Sequence, residues 1–238
     1  MAASGTAARW TYRALAGSSR GTGVATRRQL VDRLLRSHLY VLTPDAPPDR
    51  VIELAAAAVR GGADVLQLRH KSLARGALLA LARRLREIAA PPGVVFIVND
   101  HVDIALLSGA DGVHLGPDDL TIGAARRLAG DRLLLGASAS SPEAALAAIA
   151  EGADYLGSGP AFATPVKAEK PVIGPIGVAA IAAAAAPVPV FAIGGIDESN
   201  VAQLTAEGIH RACVIRAVAD APDPEQAAGR LRAMLTLS

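Results

Sequence analysis

The segment VLQLRHK, residues 65–71, begins with apolar residues and ends in a cationic cluster. It contributes Gln67, Arg69 and Lys71, and two acidic residues follow later apolar runs: Asp100 after VVFIVN and Asp119 after GVHLG. Mg²⁺ takes one or two carboxylates together with phosphate oxygens and water, while Arg and Lys neutralise phosphate charge. If these side chains converge, they predict a site for a diphosphate and its Mg²⁺.

Each acidic residue also has an ordinary structural explanation. Asp100 could cap a helix that starts near Val102, and Asp119 in GPDDLT could belong to a turn. Convergence with the two cations would distinguish a metal site from these alternatives. Ser138 and Lys167, after later apolar runs, could donate to the same anion.

A second anion site is predicted at Gly194 and Gly195 in FAIGGI, together with the end of the last apolar run at Arg216. Backbone amides after the seventh and eighth strands of a barrel often bind a phosphate monoester. The alternative is that the two glycines form only a tight turn. A diphosphate site beside a phosphate site implies a transferase, in which positioning and electrostatic stabilisation of the leaving diphosphate carry catalysis.

The elements that must position these residues alternate between apolar strands and alanine-rich helices. Eight such units predict a closed (β/α)₈ barrel, with a doubly wound open sheet as the alternative, and chemistry at the carboxyl ends of the strands. The predicted strands are residues 38–43, 65–69, 94–99, 112–116, 133–138, 155–160, 188–195 and 211–217. The predicted helices are residues 49–60, 75–90, 102–108, 121–128, 142–151, 177–186, 198–207 and 223–235.

Composition limits the possible partners of this chain of 238 residues. No apolar run approaches the ~20 residues of a membrane span, and a net charge of +2 with 3% aromatic residues argues against nucleic acid. The only cysteine, Cys213, is expected in the core, which fits a reducing, cytoplasmic location. Residues 1–34 are expected to form a disordered extension and residues 35–238 the barrel. No pattern predicts the oligomeric state.

Six segments, in this order between about Leu39 and Ala219, resemble the thiamine-phosphate synthase (thiamine-phosphate pyrophosphorylase) family: QLRHK, VNDHVDIAL, GADGVHLGPDDL, GASA, YLGSGPAFATPVK and FAIGGI. The resemblance implies a single TIM barrel that joins hydroxymethylpyrimidine diphosphate to a thiazole phosphate with Mg²⁺, giving thiamine phosphate and diphosphate. It also implies a dissociative course, in which diphosphate leaves before the thiazole nitrogen attacks the pyrimidine cation.

The resemblance assigns roles to residues by motif. Asp100 and Asp119 are expected to bind Mg²⁺, and Arg69, Lys71 and Lys167 to stabilise the leaving diphosphate. The expected substrate contacts are Gln67, Leu68, Arg69, His70, Lys71, Asn99, Ser138, Thr164, Pro165, Val166, Lys167, Gly195, Ile215 and Arg216. His70 and His101, both in loops, are expected to be solvated or hydrogen-bonded rather than acid–base groups, and His114 is expected in the barrel wall.

Four positions depart from the usual pattern of the family. Ala163 replaces a Pro, Val166 lacks a hydroxyl that many members carry, Pro117 replaces a Gln, and Arg216 replaces a Ser. The sequence leaves three rival functions: a thiazole tautomerase-like relative, a non-catalytic protein that binds thiamine precursors, and a phosphosugar isomerase. Asp119, Lys167 and the motif NDH argue against the tautomerase, which needs neither metal nor diphosphate.

Overall fold

A computed structural model describes residues 25–91, 93–164 and 171–236, and its eight parallel strands close into a barrel. Each strand pairs with the next along the chain, and the last pairs with the first through Tyr40 and Cys213. The strands are β1 (Leu39–Leu42), β2 (Val65–Leu68), β3 (Val95–Asn99), β4 (Gly112–Leu115), β5 (Leu134–Ala139), β6 (Tyr155–Ser158), β7 (Val190–Ile193) and β8 (Ala212–Val214). The predicted barrel is confirmed, and the open-sheet alternative is wrong.

The helices surround the barrel and bury their apolar faces against the outer surface of the strands. Those within the described residues are α1 (Arg27–Leu35), α2 (Pro48–Arg60), α3 (Arg75–Ala89), α4 (Val102–Ser108), α5 (Ile122–Ala129), α6 (Pro142–Ala150), α7 (Gly174–Ala185), α8 (Val201–Ala206), α9 (Arg216–Ala219) and α10 (Pro224–Thr236), with a 3-10 turn at Gly130–Arg132. Thr121 and Ser141 cap α5 and α6 through their hydroxyls, as their positions predict.

Helix α8 starts three residues later than predicted. Asp197 was expected to precede the first turn, but its carboxylate instead accepts a hydrogen bond from the Ser199 amide at 2.9 Å. This local turn competes with helix formation and delays the helix to Val201.

Large side chains fill the lower part of the barrel. Tyr40, Tyr155 and Phe191 are fully buried there beside Cys213. Gly136 makes room for one of them, because a Cβ at this position would lie 2.1 Å from Cζ of Tyr155. The expectation that Cys213 is a core residue is confirmed, and burial raises the pKa of its thiol.

Helix α1 closes the amino-terminal end of the barrel. Leu30 and Leu34 are buried in the same cluster as Tyr40 and Phe191, and Arg27 pairs with the buried carboxylate of Asp154 at 2.7 Å. The prediction of a disordered extension through residue 34 is therefore wrong for residues 27–34, since amphipathic burial and ion pairing order them. Residues 1–24 lie outside the described part of the chain.

No helix in the described ranges is both long enough and apolar enough to cross a membrane.

Candidate active site

A cavity of about 730 Å³ opens at the carboxyl end of the strands. It brings together most residues that the sequence predicted for the site. These are Gln67, Arg69, Lys71, Asn99, Asp100, Asp119, Ser138, Thr164, Gly195, Ile215 and Arg216. Pro165, Val166 and Lys167 lie outside the described residues, so their predicted contacts stay predictions.

Two predicted contact residues do not line this cavity. Leu68 is buried in the cluster between the strands and helices, because alternation along β2 turns it away from Gln67. His70 is 9% exposed, and its Nε2 lies 3.0 Å from the carbonyl oxygen of Ala46. Both side chains are used in packing or in holding the loop, so the cavity does not support their predicted substrate contacts, which stay predictions.

Asp100 occupies an unusual backbone conformation at the cavity wall. Its φ is +63°, and the His101 amide donates to the Asn99 carbonyl at 2.7 Å, which closes a tight turn around it. Helix α4 begins after His101 and has no side-chain cap, so the alternative of Asp100 as a helix cap is wrong. A strained backbone at a polar cavity residue is typical of functional positions.

Asp119 lies next to Asp100 from the loop after β4. Its Oδ2 accepts a hydrogen bond from the Gly116 amide at 2.7 Å, so it also fulfils the turn role that its sequence allowed. Burial and the neighbouring carboxylate of Asp119 raise the pKa of Asp100, while the charge of Lys71 opposes the shift. The Lys71 ammonium lies 3.5 Å from Oδ2 of Asp100.

The donor set of this acidic pair fits Mg²⁺. Burial and the adjacent carboxylate of Asp119 both raise the pKa of Asp100, and a bound divalent cation would offset the repulsion between the two carboxylates. Among the described residues, no group of three or more His, Cys, Asp or Glu side chains is placed to hold a metal. A pair of carboxylates leaves the remaining positions to phosphate oxygens and water, which is the usual mode for Mg²⁺.

Asp45, in the loop after β1, contacts two residues of the cavity, and the sequence did not reveal it. Its carboxylate lies 3.0 Å from the Arg69 guanidinium and also accepts a hydrogen bond from the Lys71 amide. Partial burial alone would raise the pKa of Asp45, but the Lys71 amide and the charge of Arg69 outweigh it and lower the pKa. The sequence TPDAPP reads as an ordinary turn, and only the β1–β2 pairing places it beside the cationic segment.

The floor of the cavity contains a short hydrogen-bonded chain. Nε2 of Gln67 donates to the Tyr40 hydroxyl at 2.6 Å, and the Tyr40 and Tyr155 hydroxyls are 3.1 Å apart. The Gln67 Oε1 is buried and has no partner among the described residues. A buried acceptor without a partner is costly, so this oxygen suits a ligand that carries an N–H donor.

The imidazole of His114 forms part of the wall, as its position predicted. Its Nε2 lies 3.1 Å from Oγ of Ser138, and its ring centroid lies 5.6 Å from that of Tyr155. Ser138 therefore projects from β5 into the cavity beside an aromatic surface suited to a flat ring.

Gly194 and Gly195 follow β7 with φ values of +100° and +65°. A Cβ on Gly195 would lie 2.5 Å from the Ala163 carbonyl oxygen, and one on Gly194 would lie 2.8 Å from Pro160. The glycines thus form the tight turn that was the alternative explanation, and the same turn lets the loops after β6 and β7 approach closely at the cavity.

Arg216 was predicted at the end of the eighth strand. This prediction is wrong, because Arg216 begins helix α9. Strand β8 stops at Val214, and the backbone turns at Ile215 to allow the helix. The exposed Arg216 remains at the cavity mouth, because the short helix starts there.

The chain was compared with known proteins. The family model described as "Thiamine monophosphate synthase" matches residues 39–218. A thiamine-phosphate synthase of Gloeobacter violaceus is 43% identical over 90% of this chain, which spans 61% of the relative's length. One of Anaeromyxobacter dehalogenans is 48% identical, with 82% of this chain and 86% of the relative covered.

The chain is also similar to a solved structure of the same kind of enzyme. A thiamine phosphate pyrophosphorylase from Pyrococcus furiosus superposes with a TM-score of 0.78 at 36% identity, covering 87% of this chain and 97% of the other. A 3-hexulose-6-phosphate synthase, at 21% identity and a TM-score of 0.65, shares the fold alone. With the family model matching most of the chain and the relatives this similar, the chain belongs to the thiamine monophosphate synthase family.

Proposed function

We propose that this chain transfers the hydroxymethylpyrimidine group from its diphosphate to 4-methyl-5-(2-phosphoethyl)thiazole, releasing diphosphate and forming thiamine phosphate. The observation that carries the proposal is the placement of Asp100 and Asp119 beside Arg69 and Lys71 in one cavity. Opposite charges arranged in this way suit a metal-bound diphosphate better than a simple phosphate ester. The family supplies the identities of the two organic substrates.

Asp100 and Asp119 would hold Mg²⁺. When bound, this ion would supply positive charge to the phosphate oxygens on which negative charge develops. The strained turn at Asp100 and the Gly116 amide that holds Asp119 fix the two carboxylates before any ligand binds. Preorganised groups of this kind do not have to reorganise during the reaction.

Arg69 and Lys71 would neutralise the rest of the leaving diphosphate. Asn99 and Ser138 line the same part of the cavity and would donate hydrogen bonds to it. Lys167 is proposed for the same role from its motif alone. These groups favour departure of the diphosphate because they interact more strongly with the charge that develops than with the intact substrate.

The pyrimidine ring would lie near Gln67, whose buried Oε1 offers an acceptor to the ring's amino group. The thiazole phosphate would bind toward the cavity residues that follow β6, β7 and β8, which are Thr164, Gly195, Ile215 and Arg216. Pro165 and Val166 are proposed beside them from the sequence. The thiazole nitrogen carries its own lone pair and needs no general base to attack.

Two rival functions make different predictions for the same purified chain. A tautomerase-like enzyme would have no use for the acidic pair, and its turnover would not respond to EDTA. A non-catalytic binding protein would retain thiamine phosphate without forming it. A reducing, cytoplasmic location suits the proposal, and the oligomeric state does not enter it.

The test is thiamine phosphate formation from both substrates, read by oxidation to fluorescent thiochrome. We expect product with Mg²⁺, none with EDTA, and none from Asp100→Ala with its fold retained by circular dichroism. Glu53→Ala is the matched control, because Glu53 is an exposed carboxylate on α2 that pairs only with Arg50 among the described residues. Turnover that is unaffected by EDTA, or absent from the folded wild type, would reject the proposal.

A further inference from the structure

The loop after β1 holds the cationic loop after β2 at several points. Thr43, fully buried, accepts a hydrogen bond from the Arg69 amide at 3.0 Å and donates to the Arg69 carbonyl at 3.2 Å. The carbonyl of Ala46 lies 3.0 Å from Nε2 of His70. Asp45 lies between Thr43 and Ala46 in the chain.

Asp45 differs from its neighbours because it touches groups that face the cavity. One of its oxygens lies 3.0 Å from the Arg69 guanidinium, and the other accepts from the backbone amide of Lys71. Asp45 itself does not line the cavity, whereas both cations do. It therefore acts on a bound ligand only through them.

We infer that Asp45 is a positioning residue that orients Arg69 toward the leaving diphosphate; this inference rests on the proposed function. An arginine side chain has many rotamers, and an ion pair at its guanidinium removes most of that freedom before substrate arrives. The Lys71 amide donates to the other carboxylate oxygen and so fixes Asp45 itself beside Arg69.

The contacts of this loop indicate that Asp45 can be replaced without unfolding the protein. Without Asp45, Thr43 still holds the Arg69 backbone and the Ala46 carbonyl still contacts the His70 ring, whose Nδ1 lies 3.4 Å from Asp45. The Asp45 side chain is 40% exposed. Removing the carboxylate should therefore leave the barrel intact and release mainly the Arg69 side chain. Exposed ion pairs of this kind contribute little to stability.

The experiment measures kcat and KM for each substrate in the full chain carrying Asp45→Ala, Arg69→Ala and the double substitution, with Glu53→Ala as control. We expect Asp45→Ala to lower kcat/KM for hydroxymethylpyrimidine diphosphate by about 10- to 100-fold, because small misplacements of a catalytic group have effects of this size. The KM for thiazole phosphate and the melting temperature should change little. Asp45→Ala should add no further loss in the Arg69→Ala background.

The variant Asp45→Asn separates the effect of the Asp45 charge from that of its hydrogen bond to the Lys71 amide. The amide oxygen of asparagine can still accept from the Lys71 amide, but the charge that pairs with Arg69 is gone. We expect a loss close to that of Asp45→Ala if orientation of Arg69 carries the effect. Full activity of Asp45→Asn, additive losses in the double variant, or equal losses for both substrates with a lower melting temperature would overturn the inference.

A binding measurement separates this inference from the proposed function. Inorganic diphosphate with Mg²⁺, titrated calorimetrically, should bind the wild type and bind Asp45→Ala about 10-fold more weakly, with no added loss when Arg69 is also replaced. If the wild type shows this pattern but forms no thiamine phosphate, the proposed transfer is wrong and the role of Asp45 stands. If Asp45→Ala binds diphosphate as the wild type does, the role of Asp45 is wrong.

Discussion

The Lys71 ammonium lies 3.5 Å from Oδ2 of Asp100, although the two residues come from loops after different strands. This ion pair joins the cationic and acidic halves of the cavity. Burial and the neighbouring carboxylate of Asp119 raise the pKa of Asp100, and the charge of Lys71 offsets only part of their effect. The metal-free site therefore carries an electrostatic cost that a bound cation would remove.

Asp100→Asn should stabilise the metal-free protein at neutral pH, raising its melting temperature by roughly 2–4 °C. Asparagine cannot repel Asp119, and it tolerates positive φ well. Asp100 has a raised pKa in the folded state, so its contribution to stability is present below the unfolded pKa and is lost as pH rises through the folded pKa. The advantage of the variant should therefore disappear below about pH 4.

Thermal unfolding in EDTA, followed across this pH range, checks the prediction. The same variant should lose Mg²⁺-dependent turnover, so that stability and activity move in opposite directions. A melting temperature lower than that of the wild type at neutral pH would contradict the account of repulsion.

Gly136→Ala should destabilise the barrel by about 1–3 kcal/mol or more through overpacking. The added methyl group would lie 2.1 Å from Cζ of Tyr155, so the ring must move and disturb its contact with Tyr40. Chemical denaturation measures the loss. Gly123→Ala is the matched control: its methyl group would lie 3.7 Å from Oε2 of Glu151, and alanine favours helix α5, so no loss of stability is expected.

Leu34→Ala should lower the free energy of unfolding by about 2–5 kcal/mol, because Leu34 is fully buried beneath the barrel. Its neighbour Leu35 is 40% exposed, and Leu35→Ala should change stability by less than about 1 kcal/mol. Neither variant should alter kcat/KM while the protein is folded. Equal effects of the two substitutions would show that α1 does not pack as described.

Gly195→Ala should raise the KM for thiazole phosphate at least about tenfold, because the Cβ would push the loop that carries Thr164 away from the cavity. Steady-state kinetics with each substrate varied in turn separates this from an effect on the diphosphate substrate. Gly109→Ala is the control, since Gly109 has φ of +70° but no neighbouring atom within 4 Å of the added carbon. It should lose stability and keep its KM; a shift in both variants would indicate a general effect of backbone strain.

The alternation of apolar strands and alanine-rich helices was enough to predict the barrel, because each βα unit repeats the same local pattern. Helix α1 was missed because its residues were grouped with the Arg-, Ser- and Gly-containing segment before them, although Leu30 and Leu34 have helical spacing and are buried under the barrel. The end of β8 was placed too late, since nothing in VIRAV signals the turn at Ile215.

Most of the polar site could also be predicted, because parallel strands bring their carboxyl ends to one mouth. Leu68 and His70 were included by motif, yet side-chain alternation and the contact with Ala46 turn them away. Asp45 was missed for the opposite reason. Its contacts depend on register between β1 and β2, where Leu42 pairs with Gln67, and a single sequence does not show register.

Helix α1 also has a consequence for access to the cavity. Leu30 and Leu34 pack in one cluster with Tyr40 and Phe191 at the amino-terminal end, opposite the cavity at the carboxyl end of the strands. In the proposed reaction, both substrates would therefore enter and both products would leave at the same end of the barrel.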